Sequence, residues 1–382
     1  MVIGIEAAKA NEPHKTGTEW YAHTLIREIV GIDRSLNFLL YSNAPLEPAL
    51  AELGPNAQAR ILRWPPRYLW HQLRLSLEMA VHPPDVFFAP AHTIPLVHPR
   101  RTFTMIHDIG FDRIPEAYST KERLYNRWAL RFALRHAAGL LVPSEWTKQE
   151  ILDRYPFARN REHDIAVIHH GFDADRARPS QPPEADVAVL NRYGIQAPYI
   201  LFVGRLQEKK NVARLVAAFA SLKENATVSL VLAGKPDFGF ARVQSIIHTH
   251  HLDDRVVLPG YVAHEDLPVL VRAARVFAFP SLYEGFGFPV LEAQANSTPV
   301  LASRAASLPE IGGHGALYVD PYSVASLADG LHRLLGDDQL RADLVLHGRA
   351  NLNRFRWSDC AQRTLSILTG GVFEVALQPK RW

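Results

Sequence analysis

The sequence has little cysteine, no long apolar run and almost no net charge. Its single cysteine, Cys360, excludes an internal disulfide, which is typical of a reducing compartment. No stretch approaches about 18 uninterrupted apolar residues, and residues 1–6 lack a basic region, so we expect neither a membrane-spanning helix nor a signal peptide. The net charge of +3 does not favour strong nucleic-acid binding. These absences indicate a cytoplasmic protein.

The chain is long enough for two domains and apolar enough to fill both cores. It has 382 residues, of which 47% are hydrophobic and 21% charged, which excludes a disordered chain. Short apolar runs alternate with helical segments, which predicts parallel sheets and an α/β fold. We predict a first domain over residues 1–175, a Pro-rich linker over 176–197, a second domain over 198–355 and a C-terminal segment over 356–382.

Residues 276–296 combine a predicted strand, a glycine-containing loop and the start of a helix. Pro289 stands at a position typical of a first helical turn. Such a turn places backbone N–H groups and the positive end of a helix dipole at one point, which suits a diphosphate. Glu284 in the loop and Glu292 in the helix carry carboxylates that suit sugar hydroxyls and would repel phosphate. The alternative is an ordinary turn with two solvated glutamates.

Several stretches together resemble one known family. Residues 284–293, EGFGFPVLEA, are similar to the signature of the retaining glycosyltransferases of family 4, which have the GT-B fold. Gly204-Arg205 with Lys210-Asn211 resembles the same family, as do the motifs VPSEW at residues 142–146 and LPEIG at residues 308–312. The resemblance implies two Rossmann-like, doubly wound parallel-sheet domains that face each other across a cleft. It also implies that the first domain binds the acceptor, that the second binds the nucleotide sugar, and that the C-terminal segment crosses back to the first domain.

The resemblance implies where a nucleotide diphosphate sugar binds in the second domain. Arg205 and Lys210 would stabilise the leaving diphosphate, and Lys209 is the less favoured candidate for the role given to Lys210. The alternative is that these basic residues are ordinary surface charge. Glu292 would bind the ribose and Glu284 the transferred sugar. The remaining donor-binding candidates are Gly285, Phe286, Gly287 and Phe288, with the N–H groups of residues 286–289 on the diphosphate, and Tyr261 and Val262 beside the base. By pattern alone, Tyr261 is a turn residue.

The first domain contributes two candidates. Gly17 lies where the family usually has two adjacent glycines near the donor phosphate, and the alternative is a loop glycine needed only for its backbone freedom. His107 ends a predicted strand, and the resemblance implies a catalytic role in which it orients the donor sugar or stabilises charge at the anomeric carbon. A histidine satisfied by structural contacts is the alternative. His169-His170 replaces a Pro-Asn pair common in the family, so no sugar contact through that asparagine is expected.

One further departure concerns the end of the helix that contains Glu292. The family often has a glycine there, whereas this chain has Asn296. Because asparagine tolerates the left-handed conformation, we expect Asn296 to form the helix cap.

The predicted function is metal-independent, retaining transfer of a hexosyl unit from a nucleotide diphosphate sugar to a glycan or lipid-linked acceptor. The nucleotide sugar is a co-substrate, and we expect no cofactor and no metal. No enzymic nucleophile is evident, which matches the front-face route that the resemblance implies. Similarity to bacterial mannosyltransferases of polysaccharide assembly favours GDP-mannose over UDP-hexoses. Two alternatives stay open: a nucleotide-sugar epimerase or sugar phosphorylase on the same scaffold, and a non-catalytic nucleotide-sugar-binding protein.

A predicted helix in the first domain carries a row of arginines. The helix begins with a capping box at Ser119, and its basic residues recur every four positions: Arg123, Arg127, Arg131 and Arg135. A solvated basic face is one explanation. The other is contact with anionic lipid at the inner face of a membrane, or with a polyprenyl diphosphate acceptor.

Overall fold

The structure, a computed structural model, describes residues 1–13, 15–64, 69–222 and 227–371, so the predicted C-terminal segment lies outside it from residue 372 onward. The described chain divides into two compact units. Unit 1 contains Met1–Gly171 and the described part of Phe355–Trp382, and unit 2 contains Phe172–Arg354. Each unit has its own parallel sheet, which confirms the predicted α/β fold class.

The described part of unit 1 contains a seven-stranded parallel sheet in the order β3-β2-β1-β4-β5-β6-β7. Its strands are β1 (Val2–Glu6), β2 (Asn37–Ser42), β3 (Ala57–Ile61), β4 (Val86–Ala89), β5 (Thr102–Met105), β6 (Gly139–Val142) and β7 (Ile165–Val167). Ile3 of β1 lies opposite Phe38 on one side and Val86 on the other, and all three side chains are buried. The strand order reverses between β1 and β4, so a ligand crevice is expected at their carboxyl ends.

Helices connect these strands. They are α1 (Gly17–Ile32), α2 (Pro48–Ala51), α3 (Ser76–Val81), α4 (Gly110–Arg113), α5 (Thr120–His136) and α6 (Glu145–Arg154), and a π-helical segment, Trp70–Leu75, runs directly into α3. The predicted capping box of α5 is present: the Ser119 N–H donates to the Glu122 carboxylate at 2.9 Å, and the Glu122 N–H donates to Ser119 Oγ at 3.3 Å. Both contacts satisfy N–H groups that the first turn would otherwise leave unpaired.

The described part of unit 2 contains a six-stranded parallel sheet in the order β10-β9-β8-β11-β12-β13. Its strands are β8 (Tyr199–Val203), β9 (Ser229–Ala233), β10 (Val256–Gly260), β11 (Val276–Phe279), β12 (Val300–Ser303) and β13 (Leu317–Val319). The two central strands, β8 and β11, are fully buried along almost their whole length, as expected for a sheet covered on both faces. Here the strand order reverses between β8 and β11.

The helices of unit 2 begin inside the predicted linker. They are α7 (Asp186–Arg192), α8 (Val212–Ala220), α9 (Phe240–Thr249), α10 (Leu267–Ala273), α11 (Phe288–Ala295), α12 (Leu308–Gly312), α13 (Val324–Gly336) and α14 (Asp338–Asn351). The linker is therefore not an extended tether, because Asp186 forms an ion pair with Arg272 of α10. Its polar, Pro-rich composition concealed this short helix.

The cap of α11 differs from the prediction. Asn296 has a φ of −87°, and the left-handed residue is Ser297, with a φ of 60°. The Asn296 amide instead donates to the Glu292 carbonyl at 2.8 Å and to the Ala177 carbonyl at 2.7 Å. Asn296 caps the helix as predicted, but the expectation that it is left-handed was wrong: its side chain satisfies carbonyls at the helix end, and the left-handed conformation falls on Ser297.

The last described helix, α15 (Trp357–Thr369), belongs to unit 1. Arg363 of this helix donates to the Val167 carbonyl at 2.7 Å, and the Leu368 carbonyl accepts from Arg101 at 2.8 Å. Gly171 lies against Trp357 so closely that an added Cβ would meet the indole at 2.3 Å. None of the described helices is long and apolar enough to cross a membrane.

Candidate active site

The carboxyl ends of β8 and β9 approach each other through two glycines. Gly204 follows β8 with a φ of 144°, and Gly234 follows β9 with a φ of 152°. A Cβ on Gly234 would lie 1.9 Å from the Gly204 carbonyl oxygen, so no larger residue fits there without moving the backbone. These glycines hold the loop that contains Arg205 directly above the sheet edge.

The central feature of this edge is an ion pair between Lys210 and Glu284. Lys210 Nζ lies 2.5 Å from Glu284 Oε1, and the two side chains are only 14% and 15% exposed. Ser281, directly after β11, donates its hydroxyl to the same Oε1 at 2.6 Å. The structure thus brings together two residues that are 74 positions apart in sequence, at the junction of β8 and β11.

The backbone around Lys210 orients its side chain. Lys210 ends a short 3₁₀ turn, and the following Asn211 is left-handed, with a φ of 61°. The buried Asn211 amide donates to the Pro321 carbonyl at 2.7 Å. The Lys210 ammonium also lies 5.0 Å from the centre of the Phe279 ring, within cation–π range. Lys209 differs, because its backbone carbonyl accepts from the Leu282 N–H at 2.8 Å. The Lys210 ammonium, which pairs with Glu284, stays the predicted partner of the diphosphate.

The loop between Glu284 and α11 is fixed by a glycine and a serine. Gly287 has a φ of 111°, and a Cβ there would lie 2.7 Å from Leu308 Cδ2. The Ser307 hydroxyl lies within 2.8 Å of the Phe286 carbonyl and 2.9 Å of the Glu284 carbonyl. These contacts hold the loop that runs from Glu284 into the N-terminus of α11, which is the positive end of its dipole.

Not every residue of this turn can bind an anion through its backbone. Pro289 has no N–H group, and the Val290 N–H donates to the Gly287 carbonyl at 3.0 Å. The prediction that N–H groups from 286 to 289 bind the diphosphate therefore fails at Pro289. For anion binding, this turn therefore offers the positive end of the α11 dipole and the residues that precede Pro289.

Glu292 lies on α11, just past its first turn. Among the described residues, none donates a hydrogen bond to its carboxylate or pairs with it. Burial raises the pKa of Glu292 to about 7 although the side chain is partly exposed. A carboxyl group with unused acceptors in this position suits the hydroxyls of a ligand.

Arg205 and Tyr261 lie at the exposed margin of the site. Arg205 is 70% exposed on its side chain, and its only ion pair among the described residues is to Asp237, at 3.6 Å. No hydrogen bond or ion pair in the described chain joins it to Lys210. Tyr261 is 68% exposed, and Lys235 lies 5.3 Å from the centre of its ring. Val262, the next residue, is buried.

Sequence reasoning missed Lys235 and Asp237, which follow β9. The signal that could have found them is Gly234, because a glycine at the end of a parallel strand marks a loop of the same edge. The sheet order accounts for their contacts, because β9 lies between β10, which precedes Tyr261, and β8, which precedes Arg205.

In unit 1, Gly17 is the first residue of α1. The N–H of Thr16 before it donates to the Glu19 carboxylate at 3.0 Å, which caps the helix. Gly17 does not have a positive φ, so its backbone conformation does not require glycine. This finding argues against backbone freedom as the reason for Gly17 and leaves close approach of a ligand as the open explanation.

His107 lies in a network of buried imidazoles. Its Nε2 is 2.9 Å from the Pro90 carbonyl, and its Nδ1 is 3.1 Å from His170 Nε2. Because a carbonyl only accepts, Nε2 of His107 carries the proton and Nδ1 accepts from His170. Burial, followed by the neighbouring His92, lowers the pKa of His107 to about 3.

Both nitrogens of His107 are therefore occupied by protein groups in a neutral ring. This geometry supports the alternative of a structural histidine and leaves no nitrogen for a donor sugar unless the network opens. His170, the residue that departs from the family pattern, is the partner of His107. From the sequence, His170 was interpreted only as the loss of a sugar contact that the family makes through an asparagine.

Two parallel-sheet α/β units of seven and six strands are typical of glycosyltransferases of the GT-B class. The model for glycosyl transferases group 1 matches residues 192–350, and the model for glycosyltransferase family 4 matches residues 16–176. An O-antigen chain mannosyltransferase B from Escherichia coli is 30% identical over 81% of this chain and 78% of that protein. The chain belongs to glycosyltransferase family 4.

Solved structures agree on the fold. A sucrose-phosphate synthase from Thermosynechococcus elongatus superimposes with a TM-score of 0.73 at 21% identity, covering 97% of this chain and 98% of that one. The Anabaena protein Alr3699/HepE in complex with UDP-glucose gives a TM-score of 0.71 at 20% identity, covering 96% and 99%. The predictions of family, fold class and transferase activity are confirmed.

Proposed function

We propose that this glycosyltransferase transfers a hexosyl unit, with retention and without a metal, from a nucleotide diphosphate sugar to a glycan or lipid-linked acceptor. The observation that carries the proposal is the mostly buried Lys210–Glu284 pair, in which Glu284 lies on the loop that leads into α11. A fixed cation and a helix dipole suit a diphosphate, and a carboxylate beside them suits the sugar attached to it.

The pair accounts for both binding and bond cleavage. Without a ligand, Glu284 compensates the charge of Lys210. When a diphosphate binds, Lys210 is shared with it, and the freed oxygen of Glu284 accepts a hydroxyl of the sugar. As the bond from the anomeric carbon to the phosphate oxygen breaks, the oxygen gains negative charge that Lys210 stabilises.

Retention follows from the front-face route. The acceptor hydroxyl forms its bond to the anomeric carbon on the face from which the phosphate leaves, and its proton passes to the leaving phosphate oxygen. Glu284 is held by Lys210 and Ser281, which supports a binding role for it and not a nucleophilic one. Arg205, on its exposed loop, is the second cation of the proposal.

The proposed donor is GDP-mannose. The relative with 30% identity is named a mannosyltransferase, and the Anabaena structure contains UDP-glucose, which supports a nucleotide sugar as the class of donor. Tyr261, with Lys235 beside its ring, is the proposed contact for the base. Glu292 is the proposed contact for the ribose.

A lipid-linked acceptor fits an exposed apolar stripe on unit 1. The stripe consists of Leu69, Leu73, Leu77 and Val81, which recur every four residues and are 48–60% exposed. The π-helical segment, which contains Leu73, contacts α5 through Gln72, whose amide lies 3.4 Å from the Tyr125 hydroxyl. Leu124, Tyr125 and Trp128 of α5 are also exposed. We propose that this apolar stripe contacts membrane lipid.

The arginine row of α5 contributes less to this surface than its spacing indicates. Arg127 forms an ion pair with the buried Asp112, Arg131 lies 5.8 Å from the centre of the Tyr155 ring, and Arg135 lies 4.8 Å from that of Phe157. These arginines are engaged with the protein, which supports a structural role for most of the row. The apolar stripe carries the membrane proposal.

The test is turnover of GDP-mannose and UDP-glucose in EDTA, followed by proton NMR. Slow hydrolysis that releases α-mannose first supports retention without a metal. Release of the β-anomer, or a requirement for a divalent ion, contradicts the proposal. Epimerised nucleotide sugar, a requirement for inorganic phosphate, or binding without turnover would support one of the alternatives.

A further inference from the structure

Unit 1 contains a cavity of about 150 Å³ at the carboxyl edge of its sheet. Its walls include His92 from the loop after β4, Asp108 from the loop after β5, Phe111 of α4 and Asn126 of α5. Pockets for drug-sized ligands are about 300–1,000 Å³, so this cavity fits one small ring and not a nucleotide sugar.

His92 directs an unused imidazole at this cavity. The residue is left-handed, with a φ of 50°, and its N–H donates to the Met105 carbonyl at 2.8 Å. A non-glycine residue in this conformation is uncommon and is often found at functional sites. Within the described chain, the His92 ring nitrogens make no hydrogen bond. Burial lowers the pKa of His92, so the ring is neutral and offers one donor and one acceptor.

Two other polar side chains at the cavity have unused capacity. Asp108 accepts the Gly110 N–H at 2.8 Å through Oδ1, while Oδ2 contacts no donor among the described residues. The Asn126 amide likewise has no hydrogen-bond partner in the described ranges. Phe111, in edge-to-face contact with Tyr118, supplies an apolar surface between them.

This chemistry selects a neutral ligand with several hydroxyls. Among the described residues that line the cavity there is no lysine or arginine, and the Asp108 carboxylate would repel phosphate. A sugar matches the walls, because hydroxyls donate to Asp108 and exchange hydrogen bonds with His92 and Asn126. The apolar face of the sugar ring would lie on Phe111.

We propose that this cavity binds the terminal sugar of the acceptor and that His92, Asp108 and Asn126 determine which sugar is accepted. The proposal rests on the proposed glycosyl transfer, because an acceptor sugar is needed only if a hexosyl unit is transferred. It assigns acceptor specificity to the loops after β4 and β5 and to one face of α5.

The test measures binding of four methyl glycosides by saturation-transfer NMR: the α-mannoside, α-glucoside, α-galactoside and α-N-acetylglucosaminide. The variants are Asn126→Leu, which removes the amide, and His92→Asn, which keeps a residue that tolerates the left-handed conformation. Lys121→Ala, an exposed change on the same helix, is the control. Affinity for GDP-mannose is measured on every protein.

We expect at least one glycoside to bind the wild type in the millimolar range and both variants to weaken it at least tenfold. Lys121→Ala should bind like the wild type, and GDP-mannose affinity should change less than twofold throughout. Binding of none of the four glycosides, or equal binding by wild type and both variants, overturns the pocket. Absence of nucleotide-sugar binding with glycoside binding intact would contradict the proposed function and the acceptor role, and would leave the cavity as a sugar-binding site only.

Discussion

Replacing Lys210 with methionine tests the central ion pair. The change keeps most of the apolar stem beside Phe279 but removes the charge that the diphosphate would meet. Loss of one preorganised donor to a developing negative charge costs roughly 2.7–4 kcal/mol, or about 10²–10³ in kcat. We therefore expect kcat to fall at least a hundredfold.

The change should also lower stability, through the carboxylate that it leaves without a partner. Glu284 keeps its hydrogen bond from Ser281, but its negative charge is left unpaired in a site that is about 15% exposed. The expected loss lies between that of an exposed pair, below about 1 kcal/mol, and that of a buried pair, about 3–5 kcal/mol. Glu284→Gln in the same chain should restore part of this loss, because the unpaired charge is then gone.

The assay is steady-state release of GDP from GDP-mannose, with thermal unfolding measured on the same preparations. Lys209→Met is the matched control, since the neighbouring residue holds the loop through its backbone carbonyl. It should retain activity within about threefold. Near-normal turnover by Lys210→Met, or an equal loss in Lys209→Met, would refute the assignment of Lys210.

Three further predictions concern Glu292, Gly287 and the apolar stripe. If only the ionised Glu292 carboxyl binds ribose, a pKa of about 7 makes donor affinity rise about tenfold from pH 6 to pH 8, and Glu292→Gln should abolish this rise. Because burial raises this pKa from 4.5 to about 7, the stability that the protonated carboxyl contributes is fully present below pH 4.5 and is lost as pH rises to about 7. Unfolding midpoints of the wild type should therefore fall between those two pH values relative to Glu292→Gln. In Gly287→Ala the new methyl group must accommodate a φ of 111° and a close contact with Leu308, so we expect unfolding stability to fall by more than about 1 kcal/mol and donor binding to weaken. Gly336→Ala is the control and should be neutral, because the space around Gly336 is open. Equal stability of the two variants would contradict this prediction. The double variant Leu73→Glu, Leu77→Glu should weaken binding to phosphatidylglycerol vesicles at least tenfold. Leu346→Glu, which changes an exposed leucine of unit 2, should not weaken it. Unchanged vesicle binding by the double variant would exclude the stripe as a membrane contact.

The sequence predicted the elements of the site well because its signals are local. A strand, two glycines and a proline predict the turn before α11, and the structure places Glu284 and Glu292 on that turn and helix. The capping box at Ser119 is local in the same sense and is also present. Such patterns depend on a few adjacent residues, so they can be recognised without tertiary information.

What the sequence could not predict depends on distant partners. The ion pair between Lys210 and Glu284 joins residues from the loops after β8 and β11, which are distant in sequence. The two nitrogens of His107 likewise meet His170 and the Pro90 carbonyl, which no local pattern predicts. The exposed stripe over residues 69–81 was missed because apolar residues that recur every four positions normally form the buried face of a helix. In each case the missing information was the packing of neighbouring elements.

The most direct test of a metal-free diphosphate site is thermal unfolding against a panel of nucleotide diphosphate sugars, each with and without EDTA. A ligand present at a hundred times its dissociation constant adds about 2.7 kcal/mol of stability, which is readily visible as a shifted midpoint. The account predicts a shift with GDP-mannose that EDTA leaves unchanged and that Lys210→Met removes. A shift that requires a divalent ion, or none with any donor, would contradict it.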